Sequence, residues 1–260
     1  MTKILFMGRK KVSAGLLEFL SAQNNIEIVG VLTDSHLQGS PTTAAAKRLG
    51  LPLYTFDTAL EAMREGRLKY DLGLSILYWR KLRDEFLTVP SRGTINFHPA
   101  ILPEYKGTGG YNLAILDGLS EWGISAHYID DSIDTGDLIE VVRFPMNPDT
   151  ETAQSLESRS MSVLDEFAKR LIMQAVNSGA KLPTYPNVGG TYTSRAEMEA
   201  MKEIRPGDDV DRKVRAFWFP PYDGAYIEID GKKFTLVNRR ILEAVAPKDS
   251  TSLFAGQADA

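Results

Sequence analysis

Apolar residues in the first third of the chain fall into short runs separated by stretches with helical spacing. Lys3–Met7 is one such run and ends at Gly8, after which Val12, Leu16, Leu17 and Leu20 recur at helical intervals. Ile26–Leu32 is a second run, closing at Thr33-Asp34. The pattern then predicts a helix over Thr42–Leu49 stopped by Gly50, a short strand at Leu51–Tyr54, a helix over Ala59–Arg64 and a strand within Asp71–Trp79. Alternating strands and helices imply an α/β fold with a mostly parallel sheet and helices on both faces. Sheets of this kind bind ligands beyond the carboxyl ends of their strands.

Thr94–Phe97 reads as a further strand. Ile101–Gly110 is too rich in Pro and Gly for regular structure and is expected to be a loop, followed by a helix over Tyr111–Asp117. Ile124–Ile129 and Leu138–Phe144 are two more strands. Ala153–Asn177 carries Leu156, Val163, Leu164, Phe167, Leu171 and Ala175 on one stripe, as in a long amphipathic helix, and Gly179 ends it. Pro183, Pro186, Gly189 and Gly190 then mark a change in composition. The organisation expected is an α/β domain over residues 1–179, a small α+β module over 180–245, and a flexible tail over 246–260. Within the module, Glu197–Glu203 and Asp209–Phe217 are predicted helices. Asp230-Gly231, set between Ala225–Ile229 and Lys232–Val237, predicts a β-hairpin.

Composition narrows the chemistry. The chain of 260 residues has no cysteine, so disulfides, thiolate metal sites and cysteine nucleophiles are excluded. Three histidines, His36, His98 and His127, make a multi-histidine metal centre an unfavoured reading, and no metal is expected. A net charge of -4 offers no general basic excess for nucleic acid. No apolar run approaches the roughly 20 residues that span a bilayer, and the N-terminal run is too short for a secretory signal. A cytoplasmic protein is expected, with neither nucleic acid nor membrane as partner.

The segment richest in chemistry is Gly93-Thr-Ile-Asn96-Phe-His98-Pro-Ala-Ile-Leu-Pro103. Strand alternation places Asn96 and His98 on one face at the end of their strand. The amide can donate to a developing oxyanion and the imidazole can carry a proton, which together suit acyl transfer. A third group should orient the imidazole. The acidic turn Ser132-Ile-Asp134-Thr-Gly-Asp137 supplies candidates. His36 and His127 read as structural hydrogen-bonding residues, and Asp137 as a former of the turn.

Asn96-x-His98, the loop Pro99–Pro103 with Lys106-Gly107 after it, and Ile133-Asp134-Thr135-Gly136-Asp137 together resemble the signature of the folate-dependent formyltransferase family. The resemblance runs from about Lys3 to Gly179 and implies a Rossmann-like catalytic domain that moves a formyl group from 10-formyltetrahydrofolate to an amine. It implies Asn96, His98 and Asp134 as the catalytic residues. Asn96 and a protonated His98 would stabilise the oxyanion, with Asp134 favouring the charged imidazole. It places the folate against Leu77, Tyr78 and Trp79 and against Ile129, Asp130, Asp131 and Ile133.

The acceptor is read from departures within that resemblance. Gly8-Arg9-Lys10-Lys11 lacks the phosphate loop of glycinamide ribonucleotide enzymes, and only residues 180–260 stand where methionyl-tRNA enzymes carry a tRNA-binding barrel. Asn112 and the stretch Arg215–Tyr226 resemble the sugar N-formyltransferases, which act on nucleotide-linked amino sugars. The implied role is N-formylation for surface polysaccharide of the O-antigen type. Lys10, Lys106, Asn112, Trp218 and Tyr222 are the implied substrate contacts, the cations meeting a diphosphate and the aromatics a flat ring. Structural alternatives stand beside these: a solvated helix start for Lys10, a helix-terminal position for Asn112, and core or subunit interface for the aromatics. A homodimer through the hairpin and Phe217–Tyr222 is expected. A different amine acceptor, a formyltetrahydrofolate hydrolase and a non-catalytic binding protein are the competing readings.

Overall fold

The computed structural model describes residues 1–33 and 39–245; His36 and the predicted tail over 246–260 lie outside the described residues. The alternation read from the sequence is realised as β1 (Thr2–Gly8), α1 (Lys11–Ser21), β2 (Ile26–Leu32), α2 (Pro41–Arg48), β3 (Leu53–Tyr54), α3 (Phe56–Arg64), β4 (Leu72–Ile76), α4 (Glu85–Thr88) and β5 (Thr94–His98). Parallel pairing joins these strands in the order β3-β2-β1-β4-β5. Next come β6 (Tyr105–Gly107), α5 (Gly110–Leu116), β7 (Glu121–Tyr128) and β8 (Leu138–Pro145), with β7 and β8 extending the same sheet in antiparallel pairing.

Beyond their first two residues β1 and β2 are apolar, because both faces of the sheet are covered. Ile4 and Phe6 pack on one side with Leu16, Leu17 and Leu20 of α1. Their neighbours Leu5 and Met7 pack on the other with Phe56, Ala59 and Met63 of α3 and with Phe86. The long helix α6 (Ala153–Ser178) joins the first side through Leu164, Phe167, Leu171 and Ile172. Its ends are set by local chemistry. Thr152 and Ser155 cap each other's backbone N–H at the start, and Gly179 takes the left-handed conformation at φ 67.

Beyond α6 lie β9 (Thr191–Thr193), α7 (Arg195–Ala200), α8 (Val210–Phe217), β10 (Tyr226–Ile229), β11 (Lys232–Thr235) and α9 (Arg239–Val245). The hairpin forms around Asp230-Gly231, with Ile229 opposite Lys232. The sequence boundary near Gly179 does not separate two cores. Val214, Phe217, Ala225 and Ile241 share one apolar cluster with Ile101, Ile115, Trp122 and Leu156. Polar ties reinforce it. Arg215 is buried, pairs with Asp211, and donates to the carbonyls of Pro148 and Glu151. Phe217, expected as core or interface, is core at 2% exposure. Among the described residues, no helix is long and apolar enough to cross a membrane.

Candidate active site

The carboxyl ends of β4 and β5 open into a cleft of about 2290 Å³, walled also by the 129–134 loop, α6 and residues beyond Tyr192. A single ligand pocket is commonly about 300–1,000 Å³, so this cleft has room for two ligands side by side.

β5 ends on Asn96-Phe-His98, and Asn96 and His98 both line the cleft, as their alternation requires. Antiparallel pairing with β7 sets His127 directly opposite Asn96, and Ser125 opposite His98. Cross-strand partners lie within side-chain reach. The His127 ring is fixed by its own backbone: Nδ1 lies 2.8 Å from the Tyr128 carbonyl, which can only accept, so Nδ1 carries the proton. In the neutral ring Nε2 is then an acceptor, and the Asn96 amide nitrogen donates to it at 3.0 Å. One of the two Asn96 N–H bonds is thereby occupied and its direction set, which leaves the second for a ligand.

Asp134 reaches this group from the loop between β7 and β8. Its backbone lies in the left-handed region at φ 56, which Asp tolerates better than most residues. Gly136 follows because a side chain there would meet the Tyr128 carbonyl at 1.9 Å. Asp130 folds the same loop inward, accepting from the Ser132 N–H and the Thr135 hydroxyl. The Asp137 carbonyl accepts from the Tyr128 N–H while its side chain is exposed.

The Asp134 carboxylate is buried, with one oxygen accepting from the Gly107 N–H at 2.9 Å. The other lies 3.5 Å from His98 Nδ1 and 3.6 Å from His127 Nε2. Burial pushes this carboxyl up, but His98, the His127 contact and the Gly107 N–H outweigh it and hold it below the usual carboxylate range. His98 Nε2 donates to the Tyr105 carbonyl at 3.0 Å, so the lone pair of a neutral ring sits on Nδ1, facing Asp134.

The sequence reading has a protonated His98 at the oxyanion stage, and in the structure the ring's surroundings favour the neutral form. Burial pulls the imidazole below its ordinary value and exceeds the raising influences of Asp134 and the Tyr105 carbonyl, while His127 also lowers it. A neutral ring with a charged carboxylate behind its lone pair is arranged to receive a proton.

Leu77, Tyr78, Trp79, Ile129, Asp130 and Ile133 line the cleft; Asp131 is exposed and off its wall. Leu77 turns the chain off β4 with φ 53, a costly conformation for a residue with a side chain. Trp79 is 52% exposed and Ile133 42%, so apolar surface faces the opening. Of the implied substrate contacts, Lys10, Asn112, Trp218 and Tyr222 line the cleft. The Lys10 ammonium is held by Glu157 of α6, and the Asn112 amide donates to the Ala216 carbonyl at 2.7 Å. Tyr222 is 68% exposed. Lys106 is not brought to the cleft: it is buried and donates to the Gly189 carbonyl at 2.8 Å, which satisfies an ammonium that burial would otherwise penalise.

His127 was missed as a member of this group. Its signal was available only as a register, because Asn96 and His127 meet once β5 and β7 are known to pair.

Residues 3–176 match the Formyl transferase family. A methionyl-tRNA formyltransferase of Listeria innocua is 27% identical over 254 residues, covering 91% of this chain and 78% of that protein. Among solved structures, an N-formyltransferase from Helicobacter canadensis, in complex with folinic acid and dTDP-3-aminofucose, is 22% identical with a TM-score of 0.71. It covers 90% of this chain and 86% of its own. A sugar N-formyltransferase from Shewanella is 16% identical with a TM-score of 0.72, over 91% of this chain and 96% of its own.

Proposed function

The chain belongs to the formyl transferase family, and from that premise we propose that it is a folate-dependent enzyme that formylates the amine of a nucleotide-linked amino sugar. The observation carrying this reading is the continuity of the cleft. Asn96, His98 and Asp134 share it with the Trp79 and Ile133 wall and with Trp218 and Tyr222 beyond α6. The exposed apolar faces of Trp79 and Ile133 fit a flat heteroaromatic ring such as a pteridine, with Leu77, Tyr78, Ile129 and Asp130 around it. When bound, 10-formyltetrahydrofolate supplies the formyl group. Trp218 and Tyr222 offer ring faces to a nucleobase or sugar, and Lys10 and Arg9 offer cations to a diphosphate. Lys10 would exchange Glu157 for that anion.

Each catalytic side chain then has a task. The second N–H of Asn96 donates to the oxygen that gains negative charge as the acceptor amine adds. His98 Nδ1 would take the proton released by the amine, Asp134 would hold the imidazolium so formed, and that proton would pass to the donor's departing nitrogen as its bond to the formyl carbon breaks. His127 keeps the Asn96 amide turned the right way. The solved neighbours named for amino sugars support this acceptor. A second reading, methionyl-tRNA as acceptor, is favoured by the names of the sequence relatives. The sugar product would serve N-formylated surface polysaccharide.

Mass spectrometry on a panel of nucleotide-linked amino sugars and charged methionyl-tRNA, with the formyl donor present, decides between them. One formyl group is expected on one sugar and to be lost in His98→Ala. Formylation of the tRNA alone would overturn the sugar reading. Formate released without any acceptor would identify a hydrolase.

The chain is also proposed to form a homodimer through the hairpin, which exposes Ile229 and Phe234 at 51% and 49%. Light scattering is expected to give twice 28.8 kDa, and the monomer mass at working concentration would remove the proposal.

A further inference from the structure

The segment that follows α6 returns across the acidic loop and fastens to it at several points. Tyr185 exchanges two backbone hydrogen bonds with Leu138, both 2.9 Å. Gly189 accepts from Lys106. Gly190 passes so close to the 99–110 loop that a side chain there would meet the Pro103 carbonyl at 1.5 Å. β9 then pairs in parallel with β6, Thr193 opposite Gly107, the residue whose N–H donates to Asp134.

Within this strap Asn187 has a particular place. It is buried at 7% exposure, and its amide nitrogen donates to two carbonyls at once, those of Asp134 and Gly136, each at 3.0 Å. Its amide oxygen is buried with no hydrogen-bond partner among the described residues. A buried amide that leaves its acceptor unpaired in order to serve two carbonyls of one turn is there for the turn. That turn is under backbone strain, since Asp134 is held at φ 56. Conformations of this kind persist when the surroundings over-determine them.

We propose that Asn187 is a positioning residue for the reaction, fixing the Asp134 backbone so that its carboxylate stands behind His98. The proposal rests on the reading of Asp134 as the partner of the proton-accepting His98. The catalytic centre would then include chain beyond the family match, which ends at residue 176. Asn187 lies off the cleft wall, so it acts through Asp134.

The titratable groups facing His98 are Asp134 and His127. Asp134 raises the imidazole, so drawing its carboxylate away lowers the His98 titration midpoint. Histidine ring signals, followed by NMR against pH, read this without any turnover. Asn187→Ala is expected to move the His98 midpoint to lower pH, in the same direction as Asp134→Asn. Asn187→Ser, whose single donor can serve at most one of the two carbonyls, should move it the same way by a smaller, still measurable amount. With an accepted acceptor, kcat should fall by about 10- to 100-fold in Asn187→Ala while KM for the acceptor changes little. An unchanged midpoint in a folded Asn187→Ala or Asn187→Ser protein overturns the proposal, whatever happens to the rate. Because the titration needs no substrate, this result stands apart from whether an amino sugar is the acceptor.

Discussion

Replacing Asn96 with Ala is expected to lower kcat for formyl transfer by about 100- to 1,000-fold, the usual cost of losing one oxyanion donor. Little change is expected in KM for either substrate. The Asn96 amide has one N–H on His127 and lines the cleft, so the variant loses a donor group whose orientation was already set. Stabilisation of this kind operates where charge develops, which is why the loss falls on kcat. Asn96→Asp tests the same point with the shape retained. Its carboxylate cannot donate, and it would face the lone pair of His127 Nε2, so its loss should be at least as large. Steady-state kinetics on whichever amine is accepted measure both variants. A fall of less than about tenfold in Asn96→Ala would remove Asn96 from the oxyanion role.

Asp134→Asn is the second large effect, about 100- to 10,000-fold in kcat/KM, the range for disabling a positioned acid–base group. Asn is chosen because it too tolerates the left-handed backbone at φ 56; Ala would add strain to the loss of charge. The pH profile separates the charge effect from a packing effect. With His98 as the proposed proton acceptor, the acid limb in the wild type is expected to follow its imidazole, which burial pulls below its ordinary value. Activity should therefore persist at pH values where a solvent-exposed histidine would be charged, and fall as pH drops through the lowered value. Asp134 raises that value, so its replacement moves the limb further toward acid. A limb that stays in place, or moves toward neutral pH, would show that Asp134 does not face the titrating group.

Much of this arrangement was legible because the informative residues sit where local pattern and chemistry coincide. β1, β2 and α1 follow from runs and spacings, and Asn96 and His98 from strand alternation. The Asp-Gly hairpin follows from turn chemistry. What escaped depends on contacts distant in the chain. β6 lies inside a Pro- and Gly-rich stretch and is a strand only because β9 supplies a partner from beyond residue 190. α4, with 4 residues, is too short to show a helical period, and α9 buries a single residue, Ile241, which makes no stripe. The strand expected through Trp79 stops at Ile76, since Leu77 leaves the extended region. Lys106 looked like a cation for a ligand; only the fold reveals that a carbonyl of the strap holds it. His98 kept its place, but its favoured charge state depends on burial, which no local pattern reports.

The apolar cluster shared by Trp122, Leu156, Val214 and Ile241 bears on how such enzymes can be recombined. Gly179 looks like a junction at which one C-terminal module could be exchanged for another. A chimera spliced there would split that cluster between two parents and would also replace the strap on which Asp134 leans. Side chains that interlock in a close-packed interior do not tolerate mismatched partners. The exchangeable unit is therefore larger than the sequence suggests. It includes the interior of the stretch from Ile101 to Leu156 together with the described chain after α6, so an exchanged module has to bring with it the packing it shares with that stretch.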